Sequence, residues 1–126
     1  MSPAETVTAF IEAIEAKDVE AAAAFAAPDI SYENMPMDPI AGIDAMSQVL
    51  TGFLAAATEV DWQILEQVEH GDTVLNERLD RFKIGDGWLE LPIAGVFKVT
   101  DGKITLWRDY FDMASYTSQL AELTGA

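Results

Sequence analysis

Apolar residues recur at helical spacing in the first half of this chain and at every second position in the other half. Val7, Phe10, Ile11 and Ile14 follow Ser2-Pro3-Ala4-Glu5. That tetrapeptide offers a capping serine, a proline at the first helical position and a glutamate three residues after the serine, which together predict a helix start. Asp18 can cap a second, alanine-rich helix that stops near Pro28. Residues 30–34 predict a short strand, and Met35-Pro36-Met37-Asp38-Pro39 a loop. A third helix follows Gly42, with Ile43, Met46, Leu50, Phe53 and Leu54 as its apolar side. Beyond it the period changes to two. Strands are predicted over 61–69, 73–84, 88–99 and 103–111, joined by His70-Gly71-Asp72, Gly85-Asp86-Gly87 and Asp101-Gly102, all with tight-turn chemistry. Successive strands on short turns form an antiparallel meander. Pro92 cannot donate to a ladder, so it predicts a bulge or an edge. Residues 113–123 predict a short C-terminal helix or tail. Helices first and a sheet afterwards give an α+β architecture: a strongly curved sheet wraps the helices and leaves a pocket where they do not fill it.

Strand parity then groups the polar residues. Positions i and i+2 of a strand share a face. Tyr32 goes with Asn34, and Arg78 with Asp80, on a face that also carries Val74, Asn76, Phe82 and Ile84. Trp107, Asp109 and Phe111 share a face of the last strand. Two carboxylates, an arginine and two neutral hydrogen-bonding groups in one pocket could activate water and protonate a leaving oxygen without metal or cofactor. Each piece alone has a blander meaning. An Arg-x-Asp pair on a strand is usually a surface ion pair. Tyr-x-Asn at a strand end is often edge solvation, and Asp109 among Trp107, Tyr110 and Phe111 could be a structural hydrogen-bonding group. Met35, Met37, Phe82 and Trp107 are candidates for a pocket lining, although methionines and aromatics are core residues by default. Asp112 is read as a cap on the C-terminal segment.

Composition narrows the field. With 126 residues the chain makes one domain able to bury a core, and 50% of it is apolar. A formal net charge of −15 argues against nucleic acid and anionic membrane surfaces as partners. The absence of cysteine removes disulfides, thiol catalysis and thiolate metal sites. His70 is the sole histidine and sits at a turn, so neither a histidine triad nor a histidine metal cluster can be built. No phosphate loop, dinucleotide fingerprint or nucleophile elbow occurs. Met1-Ser2-Pro3-Ala4-Glu5 lacks the basic start of a signal peptide, and no apolar stretch could span a bilayer, so a cytoplasmic protein is expected.

The joint pattern resembles the limonene-1,2-epoxide hydrolase family, within the nuclear-transport-factor-2-like, SnoaL-like group. Ala16-Lys17-Asp18-Val19-Glu20-Ala21 and Gly42-Ile43-Asp44-Ala45 match the broad group. The specific part is Tyr32-x-Asn34, Arg78-x-Asp80, and Gly95-Val96-Phe97 leading through Asp101-Gly102-Lys103-Ile104 to Leu106-Trp107-Arg108-Asp109-Tyr110-Phe111-Asp112. The resemblance covers nearly the whole chain. It implies a mixed, mostly antiparallel sheet closed into a cone around an internal pocket, and a homodimer packed through the sheet. It also implies a cofactor-free hydrolase that opens a small apolar epoxide to a vicinal diol. Asp109 would then be general base, Tyr32 and Asn34 would hold the attacking water, Asp80 would be general acid, and Arg78 would bridge the carboxylates. Two alternatives stay open on the residues themselves: a proton-shuttling isomerase or cyclase, and a non-catalytic small-molecule binding domain.

Overall fold

The computed structural model describes residues 1–125. Helix α1 (Pro3–Glu15) begins with the expected capping box: the Glu5 amide donates to Ser2 Oγ at 3.1 Å, and the Ser2 amide donates to Glu5 Oε1 at 2.8 Å. Its apolar stripe Val7, Phe10, Ile11 and Ile14 is fully buried and lies across the later strands. Asp18 caps α2 (Val19–Ala23). This helix ends well before Pro28. The chain is already extended in β1 (Ala26–Asn34), because a proline removes a helical donor and biases the residue before it to extended backbone. The pairing of β1 is irregular between Ala26 and Ser31, the stretch that holds Pro28. A two-residue strand, β2 (Ile40–Ala41), follows the predicted loop and was not expected; two residues cannot display a period. Helix α3 (Ile43–Ala55) buries Met46, Leu50 and Leu54.

The four long strands are β3 (Glu59–His70), β4 (Thr73–Ile84), β5 (Gly87–Thr100) and β6 (Lys103–Tyr110). With β1 and β2 they form one six-stranded sheet in the order β2-β1-β6-β5-β4-β3. Only the β1–β6 pair is parallel. The sheet is therefore mixed and mostly antiparallel, and irregularities at Ile64/Glu66 and Lys98/Val99 bend it around α1. β4 alternates buried and exposed positions over most of its length, with Val74, Asn76, Arg78, Asp80 and Phe82 turned inward.

Pro92 lies on an interior strand, registered against Leu79 of β4, but no strand flanks its other side. β6 ends at Tyr110, opposite Ala94, so from Ile93 back to Gly87 strand β5 pairs with β4 alone. That half is locally an edge, and it is covered. Helix α4 (Met113–Thr124) starts at Asp112, whose side chain accepts from the Ala114 amide. Gln119 on α4 accepts from the Glu90 amide and donates to the Glu90 carbonyl, both at 2.9 Å, in place of a neighbouring strand. Among the described residues, no helix is long and apolar enough to cross a membrane.

Candidate active site

The site is built in rows across the sheet. Asn34 of β1 stands beside Asp109 of β6, Asp109 beside Gly95 of β5, Gly95 beside Asn76 of β4, and Asn76 beside Gln67 of β3. One row over, Tyr32 stands beside Trp107 and Trp107 beside Phe97. Arg78 and Asp80 follow Asn76 on the same face of β4, with Trp62 registered against Asp80. Pairing thus draws together residues far apart in the chain.

Arg78 is the centre of the network, with its side chain 0% exposed. Its Nε and Nη2 donate to the two oxygens of Asp80 at 3.1 and 3.0 Å. Nη1 and Nη2 donate to the two oxygens of Asp109 at 3.1 and 2.7 Å, and Nη1 also donates to Asn76 Oδ1 at 3.1 Å. All five guanidinium N–H groups are engaged, and both carboxylates are held in bidentate form. The guanidinium also lies over the rings of Trp62 and Phe97, 5.4 and 5.9 Å from their centroids. Asp109 Oδ1 accepts a further bond from Trp107 Nε1 at 3.0 Å. The Trp107 ring stacks on Tyr32 at 4.0 Å. Asn76 passes the network outward: its Nδ2 donates to Gln67 Oε1 at 3.1 Å, and Gln67 Nε2 donates to Thr8 Oγ1 on α1 at 3.0 Å.

Burial sets the electrostatics. Desolvation pushes Asp80 up to about 6, against the lowering effect of Arg78, and the charge of Asp109 adds to the rise. Burial raises the Tyr32 hydroxyl far above its ordinary value, helped by Asp109 and opposed by a hydrogen bond with Asn34, so it stays protonated. Desolvation works against the charge of Arg78, but the two carboxylates outweigh it and the guanidinium stays charged. One cation between two carboxylates leaves one negative charge in excess in a dry site. A proton on Asp80, which burial retains up to about 6, neutralises it.

A cavity opens beside the network, lined by Tyr32, Asn34, Asp80 and Asp109 on its polar side. Phe53, Trp62, Phe82, Leu91, Ile93, Phe111 and Tyr116 form the rest. Four of the five candidate polar residues thus reach the cavity. Arg78 stands behind the carboxylates, since every donor it has is used in holding them. Of the four lining candidates, Phe82 is placed on the wall. Trp107 is fully buried beneath Tyr32 and acts on the site through its indole N–H. Met35 and Met37 are carried to the surface by the turn after β1, 45% and 39% exposed, and line none of the cavity. Trp62 is a lining residue that the sequence did not single out: only the strand register puts it opposite Asp80. Its buried indole N–H has no partner among the described residues. Asn76 was legible by parity as an inward residue of β4, but its bond to Arg78 was not.

Gly95 matters for what it lacks. A Cβ there would sit 2.6 Å from Arg78 Nη1, 2.8 Å from Asn76 Oδ1 and 3.0 Å from Asp109 Oδ1. Arg78 cannot swing away without breaking bonds to two buried carboxylates. Gly95→Ala is therefore expected to destabilise the fold by about 1–3 kcal/mol, as overpacking does. Urea denaturation measures this; wild-type stability in the variant would show that the network has slack.

Comparison with known proteins agrees with this architecture. Residues 1–122 match the model of the limonene-1,2-epoxide hydrolase catalytic domain. The chain is 35% identical over 107 residues to epoxide hydrolase EphG of Mycobacterium tuberculosis, covering 85% of this chain and 71% of that protein. The solved structure of an M. tuberculosis LEH-like epoxide hydrolase superposes with a TM-score of 0.80 at 30% identity, covering 97% of this chain and 95% of the other. A putative SnoaL-like polyketide cyclase from Shewanella putrefaciens superposes with a TM-score of 0.83 at 16% identity, over 97% and 87% of the two chains, and shares the fold alone. The chain belongs to the limonene-1,2-epoxide hydrolase family, the epoxide hydrolases built on the SnoaL-like, nuclear-transport-factor-2-like fold.

Proposed function

We propose that this epoxide hydrolase adds water to a small apolar epoxide in one step, giving a vicinal diol. The observation that carries the reading is the double bidentate grip of Arg78 on Asp80 and Asp109, two carboxylates that face one cavity. Asp109 is the general base. Tyr32 and Asn34, beside it on the cavity wall, hold the attacking water. As the water oxygen bonds to an oxirane carbon, its proton passes to Asp109. The carbon–oxygen bond on the far side breaks, and Asp80 delivers its proton to the departing oxygen. Return of a proton from Asp109 to Asp80 through solvent resets the pair. Asp80 suits the acid role because burial keeps its proton on at higher pH than an ordinary aspartate. Base and acid are both supplied by the chain, so the reaction calls for no metal or cofactor.

The protein is also proposed to act as a homodimer through the outer face of its sheet. Leu65, Val68, Leu75 and Tyr110 are exposed there at 53%, 62%, 45% and 45%. Val68, Leu75, Ala94, Val96 and Tyr110 line a shallow apolar depression. A water-filled cytoplasmic compartment fits the charge of −15, which favours a dissolved protein over one bound to anionic surfaces.

Three outcomes are expected. In a single turnover with excess enzyme in ¹⁸O-water, label enters the diol and not Asp109, and Asp109→Asn and Asp80→Asn each lose on the order of 10²–10⁴-fold in turnover. Label in a carboxylate would establish a covalent ester, and near-normal turnover by Asp109→Asn would remove the base. The pH profile of kcat/KM falls as pH rises through about 6, because Asp80 must carry its proton. A profile flat across that range, with chemistry limiting, would contradict the assignment. Sedimentation should show a dimer that Leu75→Lys dissociates; a monomeric wild type at high concentration removes the interface.

A further inference from the structure

A second cavity lies next to the catalytic one. The two share Phe53, Phe82 and Tyr116, so these side chains form the partition between them. Beyond the partition the wall is made by Gly52 of α3, Ala56 just after it, Ile84 of β4, Leu89 of β5 and Leu120 of α4. The Tyr116 hydroxyl is the one side-chain polar group in that lining. The two cavities therefore differ in character: the first has four of the five catalytic candidates on one side, and the second has none.

Their floor is continuous. Asp80, Phe82 and Ile84 succeed one another on one face of β4, with Leu91 and Leu89 registered against Asp80 and Phe82 on β5. From Asp80 to Ile84 the strand advances roughly 14 Å, four residues at about 3.4 Å each. A molecule with its reactive end at Asp80 would find only apolar contacts along this line. The partition is made of side chains and not of backbone. Phe53 and Tyr116 meet edge to face, 5.6 Å between centroids, each half-buried and each on a different helix. α4 fully buries none of its residues. These two rings are only partly buried, so they are the movable part of the partition.

We infer that the second cavity is a subsite for the tail of the substrate, and that the enzyme acts on epoxides carried on an elongated apolar chain. This rests on the epoxide-hydrolase reading given above and extends it from a small epoxide to one with a tail. The oxirane sits between Asp80 and Asp109, and the chain runs past Phe82 and between Phe53 and Tyr116 toward Ile84 and Leu89. The opposing possibility is that the second cavity is slack packing beneath a loosely docked helix and takes no ligand.

The two are separated by a homologous series of terminal epoxides, from epoxybutane through epoxyhexane and epoxyoctane to epoxydecane, with wild type and Gly52→Leu. Gly52 is a suitable site: a Cβ there meets nothing within 4 Å. Leucine also favours a helix more than glycine, so the variant should fold. Gly52 lines the second cavity, and the leucine is chosen to fill it. For wild type, kcat/KM is expected to climb about fourfold per added methylene, the value of burying each one, until the second cavity is filled. In Gly52→Leu the epoxydecane-to-epoxybutane ratio collapses toward one. No climb in wild type, or the same climb in the variant, overturns the subsite. If no epoxide is turned over, the hydrolase reading fails by itself, and calorimetry with vicinal diols still decides the subsite. Decanediol binding more tightly than butanediol to wild type but not to Gly52→Leu supports it; equal affinities of the two diols for wild type reject it.

Discussion

A guanidinium held between two buried carboxylates constrains everything around it. Arg78 has no exposed side-chain surface, and removing such a charge from water is costly unless every donor is met. Here every donor is met, and the groups that meet them must be fixed in turn. Asp80 is fixed from its own strand, two residues away. Asp109 comes from β6, and the Trp107 indole holds its other side. Asn76 takes the remaining donor and is tied through Gln67 to Thr8 on α1. The network therefore reaches from the middle of the sheet to the first helix. An ion triad of this kind is not an economical way to stabilise a core. Its use is geometric: it presents two carboxylates at fixed positions to one cavity.

The sheet is shaped to permit this. The β5 strand crosses between the two carboxylate-bearing strands, and any side chain on its inner face at that row would fill the place of the guanidinium. Gly95 leaves the space open. Aromatic rings close the network above and below, with Phe97 and Trp62 against the guanidinium and Tyr32 stacked on Trp107. Those rings exclude water and so raise Asp80 to about 6, against the pull of Arg78. Packing, desolvation and proton affinity are here one property seen at three scales. The apolar run from Phe82 to Ile84 continues the same face of β4 away from the charges, which gives the cavity a polar end and an apolar direction.

Much of this was legible in the amino-acid sequence. The period changes from helical to alternating near the middle of the chain, and the observed elements change there too. Tyr32 with Asn34, Arg78 with Asp80, and Asp109 with Trp107 and Phe111 follow from strand parity, because parity is local geometry. The capping box at Ser2, the cap at Asp18 and the cap at Asp112 are local as well. So is the order of polar positions that carries the family resemblance. Tertiary structure decided the rest. Parity states which residues share a face, not which strands are neighbours. Only the parallel pairing of β1 with β6 sets Asn34 beside Asp109, and only the β3–β4 register puts Trp62 opposite Asp80. Arg78 is charged and could have been a surface residue; its burial depends on four strands meeting. Met35 and Met37 are apolar and next to the site in sequence, but a turn two residues long is enough to carry them to the surface. The sequence by itself determined the elements, their inward faces and the chemistry available, since these depend on near neighbours. Which residues touch, which are dry and where a second cavity opens were decided by long-range pairing, which no local pattern encodes.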